Sequence, residues 1–199
     1  PASVTFVAAN AFNGSALATV TFAQEDGAQL IIGQYAFYNT QLTEVALPAR
    51  TFAIDDYAFA AATQGFMYDG DVRLASITFG TNSKLNSLGS NVFQYSFLET
   101  IDLPASLATM GDGVFRNNAY LVSVRLPEGL TTMGNETFYA DDALESVYLP
   151  STLRTMGSGT FSGCAYLTDV HFAEGLPSER IPADSFTPCA YLTEIPPHA

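Results

Sequence analysis

The sequence predicts a repeat solenoid of mixed α/β type: a right-handed stack of about eight coils of 22–25 residues. It should carry a parallel β-sheet on one face, with short helical or 3₁₀ turns and extended segments elsewhere. Three observations predict this. A phenylalanine recurs at near-constant spacing, an aliphatic triplet follows it at a near-fixed distance, and no 10–15-residue amphipathic helical stretch occurs that would build ordinary βαβ units.

The recurring residue is Phe12, Phe37, Phe59, Phe93, Phe115, Phe138, Phe161 and Phe186, at intervals of 25, 22, 34, 22, 23, 23 and 25. After it comes the pattern L-x-x-[VI]-x-[LF]: Leu42/Val45/Leu47, Leu98/Ile101/Leu103, Leu121/Val124/Leu126, Leu144/Val147/Leu149 and their equivalents. Apolar residues separated by one alternate across a strand, so V-x-L is a short half-buried strand. Pro48, Pro104, Pro127 and Pro150 follow directly and, lacking an N–H, end the ladder. Met110-Gly111, Met133-Gly134 and Met156-Gly157 then mark a corner, where glycine is expected to take positive φ and turn the chain. The phenylalanine lies in a segment too short for a full helix, hence the expected helical or 3₁₀ turn.

A single 23-residue unit cannot bury its own apolar face; stacked coils make its Leu, Val, Met and Phe into continuous files. At about 4.8 Å per coil, eight coils give a body roughly 40 Å long. Each buried aliphatic or aromatic side chain contributes about 1.5–3 kcal/mol, and several per coil offset the ordering cost.

Composition narrows the partner. Hydrophobic residues make up 48% and charged residues 14%, enough apolar surface to exclude a disordered chain. A formal charge of −13, with Lys84 the one lysine, repels phosphate backbones and anionic lipid, so neither nucleic acid nor a membrane surface is expected as partner. No apolar run reaches the roughly 18–20 residues that span a bilayer, so no membrane insertion is expected of this segment. The start, Pro1-Ala2-Ser3-Val4, lacks signal-peptide character, and the chain reads as one repeat array over 1–199 cut from something longer.

The run from Leu121 to Gly134, with its Leu126-Pro127, Met133-Gly134 and Thr137-Phe138 elements, resembles the BspA-type leucine-rich repeat of treponemal repeat proteins and of surface proteins of anaerobic bacteria and some protists. The resemblance runs from about Asn10 to Ile195. Met110, Met133 and Met156 replace the more usual isoleucine, and cysteine fills the position three after the phenylalanine only at Cys164 and Cys189. The resemblance implies an extracellular or cell-surface location and an adhesion or protein-interaction role. The implied partner is a protein, such as host extracellular matrix or another cell-surface protein. It implies no catalytic residues, cofactor or metal.

Candidate contact residues follow from the strand alternation. Residues flanking the valine face outward. In the carboxy-terminal half these are Asp102, Arg125, Tyr148 and His171 in the central row, with Asp169 and Glu194 in the row before it. A second candidate is Phe66 and Tyr68 within an insertion at 60–73, where Asp69-Gly70-Asp71 lacks the remaining ligands of a calcium loop. Ser146, Asp169 and His171 share the sheet, yet an open sheet supplies no oxyanion hole, so no enzyme is expected. A passive spacer is the competing role. Cys164 and Cys189 stack in consecutive coils, close enough for a disulfide, though paired buried thiols fit equally and are favoured.

Overall fold

The computed structural model describes residues 1–62 and 72–192. In it all eight phenylalanines form one file. Successive ring centroids lie 5.2 Å (Phe12–Phe37), 5.2 Å (Phe37–Phe59), 6.1 Å (Phe59–Phe93), 5.5 Å, 5.1 Å, 5.1 Å and 5.3 Å apart, with ring planes within 21° of parallel. The widest step joins the two coils that flank the insertion. The loop itself, with Phe66 and Tyr68, lies outside the described residues, as does Glu194; its flanks Ala60 and Arg73 are buried.

Among the described residues thirteen short strands run in chain order as β1 (Phe6–Val7), β2 (Leu30–Ile32), β3 (Glu44–Leu47), β4 (Thr51–Ile54), β5 (Ser76–Phe79), β6 (Ser87–Leu88), β7 (Thr100–Ile101), β8 (Thr109–Met110), β9 (Ser123–Arg125), β10 (Thr132–Met133), β11 (Ser146–Leu149), β12 (Thr155–Met156) and β13 (Asp169–Phe172). The V-x-L strands pair in parallel as expected, β7-β9-β11-β13 in one sheet and β3-β5 in another. Val45, Ile77, Ile101, Val124, Val147 and Val170 point inward and are buried. A third and longer parallel sheet, β1-β2-β4-β6-β8-β10-β12, runs through the Met-Gly segment. Its pairs place Leu88, Met110, Met133 and Met156 in one buried file. The apolar core therefore lies between this sheet and the two V-x-L sheets. Between them, each strand-ending proline opens a turn closed by the residue three on, Thr51 for Pro48 and a leucine for the others, as in Leu107 N–H donating to Pro104 O at 3.0 Å and Leu130 N–H to Pro127 O at 2.9 Å.

The glycine after methionine is not there for positive φ, contrary to expectation: Gly111, Gly134 and Gly157 are absent from the left-handed region. Space decides. A Cβ on Gly134 would lie 2.5 Å from Asp112 Oδ1, one on Gly111 2.7 Å from the Gly89 carbonyl carbon, and one on Gly157 2.3 Å from Asn135 N. The preceding coil presses on each glycine because its next residue caps the following coil. Asp112 Oδ1 accepts from Asn135 N–H at 2.7 Å, and Asn135 Oδ1 from Ser158 N–H at 3.0 Å.

Positive φ falls two and six residues after the glycine: Tyr35 and Asn39, Asn91 and Tyr95, Gly113 and Asn117, Glu136 and Ala140, Gly159 and Gly163. These positions flank the phenylalanine, and they replace the expected helical turn. A helix would donate all its amides within one coil. Here donation alternates. Glu136, Phe138 and Ala140 N–H groups donate to Ser158, Thr160 and Ser162 carbonyls of the next coil at 2.8–2.9 Å, whereas Tyr139 and Asp141 donate back to Glu136 and Phe138 in their own coil. The same alternation recurs at Asn91/Phe93/Tyr95 and Gly113/Phe115/Asn117. Among the described residues the single helical element is a 3₁₀ turn, Ser178–Arg180.

Non-glycine residues in left-handed backbone cost roughly 1–2 kcal/mol each. Ala140→Gly, at φ 56°, is expected to raise stability by up to about 1 kcal/mol. Gly134→Ala should lower it by more than about 2 kcal/mol through overpacking. Thermal unfolding followed by circular dichroism checks both, at about 2–4 °C per kcal/mol for a chain of this size.

Candidate interaction face

The outward residues of the carboxy-terminal sheet meet as the alternation predicts. The register pairs Arg125 with Tyr148 and Tyr148 with His171 across β9, β11 and β13, and Ser146 with Asp169. Asp102 directly follows Ile101, the last paired residue of β7 opposite Val124, and so begins the same row. Arg125, His171, Asp169 and Asp102 are exposed and Tyr148 half-buried.

Side chains on these rungs hold one another in place. The Arg125 guanidinium carbon lies 4.5 Å from the Tyr148 ring centroid, a cation–π contact. Tyr148 Oη donates to Glu128 Oε1 at 2.9 Å, and Ser151 Oγ donates to Glu128 Oε2 at 3.1 Å. The hydrogen bond to Glu128, followed by burial, pushes the Tyr148 phenol above its usual range, and the Arg125 charge opposes it. His171 Nε2 sits 3.0 Å from Asp169 Oδ2. Strand alternation does not reveal Glu128, because it projects from the Pro127-Glu128-Gly129 turn. Its place two residues past the strand-ending Leu126 is the signal that points to it. At the other end of the face, Thr19, Thr21, Thr43, Glu44, Ser76 and Thr78 line a shallow concavity of about 470 Å³.

The model of the BspA-type leucine-rich repeat region matches in six copies across residues 1–79 and 86–197. The chain belongs to that family. Among solved structures, this leucine-rich-repeat array is similar to a leucine-rich-repeat protein of T. pallidum, at 25% identity and TM-score 0.60, over 89% of this chain and 73% of that one. It also resembles a leucine-rich cell surface protein of Faecalibacterium prausnitzii (20% identity, TM-score 0.49, 87% and 58% of the two chains). A third likeness is to a leucine-rich-repeat protein of Bacteroides ovatus (21%, 0.46, 88% and 54%). No curated protein matches.

The position three after the phenylalanine forms a buried polar file at Ser96, Asn118, Asp141 and Cys164, continued by the half-buried Cys189. Asn118 Nδ2 donates to the carbonyls of Phe93, at 2.9 Å, and Phe115. Cys164 and Cys189 are free thiols. Each donates to the phenylalanine carbonyl one coil back, at 3.1 Å to Phe138 and 3.2 Å to Phe161. Burial pushes the Cys189 thiol up to about 11 and Cys164 further, which leaves both without thiolate character at neutral pH.

Asp141 is the exception in that file. It is fully buried; Oδ1 accepts the Asn118 N–H at 2.7 Å, and Oδ2 has no partner among the described residues. Burial raises its carboxyl well above the usual range, with the Asp142 charge adding to this and the Asn118 N–H opposing. The folded state thus holds a proton that the unfolded chain releases. The contribution of Asp141 to stability is therefore largest below the unfolded value near 3.9 and falls as pH rises toward the folded value. Asp141→Asn supplies a neutral group like Asn118. It should be more stable than the parent at pH 8 by roughly 1–3 kcal/mol, with a smaller gap at pH 5. Urea unfolding of both proteins at the two pH values measures the gap.

Proposed function

We propose that this leucine-rich-repeat array is an extracellular or cell-surface interaction module that seats a partner protein on its carboxy-terminal sheet face. The observation that carries this reading is the ordered Arg125–Tyr148 stack, braced by Glu128 and continued by His171. Arginine and tyrosine are frequent interface anchors, and here both are held before any partner arrives, which lowers the ordering cost of association. Asp102 and Asp169 flank the stack with exposed carboxylates, and the net charge of −13 steers basic surfaces toward it. Family membership supports a role built on contacts, with no chemistry at the face.

Solid-phase binding to a panel of immobilised extracellular-matrix proteins tests the reading. Tyr148→Ala and Arg125→Glu are each expected to weaken binding by about tenfold or more, with Thr78→Ala unchanged. If both face variants bind every matrix protein as the parent does, the array is a passive spacer and this proposal fails.

A further inference from the structure

From the third triplet on, the residue immediately before the first leucine forms a file along one edge of the sheet: Arg73, Phe97, Tyr120, Ala143, Tyr166 and Tyr191. Neighbours in the file touch. The Arg73 guanidinium carbon lies 5.0 Å from the Phe97 ring centroid, the Phe97 and Tyr120 rings meet edge-on at 5.2 Å, and Tyr166 stacks on Tyr191 at 5.5 Å and 16°. From Phe97 onward, one rung carries no ring. The coils on either side read Ala119-Tyr120-Leu121 and Ala165-Tyr166-Leu167, whereas the coil between them reads Asp142-Ala143-Leu144. The coil that lacks the ring has a carboxylate where its neighbours have alanine.

The gap has a defined size. The phenylalanines of these three coils step by 5.1 Å from Phe115 to Phe138 and again by 5.1 Å to Phe161. Register at this edge is held by the backbone, with Glu145 N–H donating to Val122 O at 2.8 Å and Thr168 N–H to Glu145 O at 3.0 Å. A planar group placed at the Ala143 rung therefore stands one coil step from Tyr166, close to the spacing at which Tyr166 itself stacks on Tyr191. Tyr166 is 57% exposed although one of its faces is covered by Tyr191, and Tyr120 is 41% exposed. Asp142 and Glu145, in the same coil as Ala143, are both exposed.

Charge selects the planar group. A neutral ring would leave the two carboxylates unanswered, whereas a guanidinium stacks on an aromatic face and pairs with carboxylates in one plane. The chain builds that arrangement for its own use: Arg116 lies 4.6 Å over Tyr139 and is ion-paired with Glu136. In the file itself, Arg73 already occupies a rung against an aromatic ring. We propose that the Ala143 rung is a docking slot for an arginine side chain of a partner protein, stacked on Tyr166 and paired with Asp142 and Glu145. The slot is a different site from the Arg125–Tyr148 stack, and it stands whether or not that stack binds anything.

The test titrates the 199-residue chain with acetyl-Gly-Arg-Gly-amide and with its citrulline counterpart, which keeps the planar head and lacks the charge, followed by NMR. The arginine peptide is expected to shift Tyr166 and Asp142 resonances saturably, with citrulline binding about tenfold more weakly. Ala143→Tyr, which restores the residue of the neighbouring coils, should abolish the shifts without lowering the melting temperature. Should that variant lose stability, Tyr166→Ser carries the same expectation. Asp142→Asn should weaken binding by about threefold, and Tyr148→Ala should leave it unchanged. The proposal is overturned by any of three results: no saturable shift with arginine, equal binding of citrulline, or undiminished binding by the slot variants. Loss of binding in Tyr148→Ala would move the site to the sheet-face stack and equally overturn it.

Discussion

Coil-to-coil register rests on the alternation of backbone donors beside the phenylalanine file. Every second amide of that turn leaves its own coil for the next, so a coil is tied to its neighbour at two or three points, as Gly113, Phe115 and Asn117 are to Asn135, Thr137 and Tyr139. The alternation goes with left-handed backbone at the residues two and six after the glycine. Asparagine and glycine fill many of those places at low cost; Tyr35, Tyr57, Tyr95, Glu136 and Ala140 fill the others at a higher one. Stacked rings at near-constant spacing are what the register secures.

Once register is set, everything inside the coil becomes a file, and a file tolerates only residues that suit all its neighbours. The glycine file is kept narrow by the caps of the preceding coil, as Asp112 shows against Gly134. In the polar file, amide or thiol donors reach the phenylalanine carbonyls at Asn118, Cys164 and Cys189, so Asp141 fits it best as a neutral acid. Buried polar groups hydrogen-bonded in this way stabilise the stack modestly and cost more when one is left without a partner.

The outside is less constrained, and departures from the repeat there are the places to look for recognition. Arg125, Tyr148 and His171 stand in one row on the sheet face because the strands beneath them are in register. The missing ring at Ala143 has meaning only against the rings at Tyr120 and Tyr166 one coil away on each side. In both cases regular backbone positions the side chains, and the local composition chooses the chemistry.

Sequence alone determined the coil count, the phenylalanine file, the V-x-L strand and the row that holds Arg125, Tyr148 and His171, since each follows from period and alternation, which are properties of a linear string. What only the tertiary structure decided depends on the neighbouring coil. The long sheet through Met110, Met133 and Met156, the alternating turn in place of a helical one, and the steric reason for Gly134 all arise from atoms about 23 residues away in sequence and one coil step away in space. Glu128 reaching Tyr148 from a turn, and Asp141 folding as a buried acid, belong to the same class. The physical reason is that a repeat pattern states which residues recur, whereas the hydrogen-bond partners and free space each one meets are set only when coils stack.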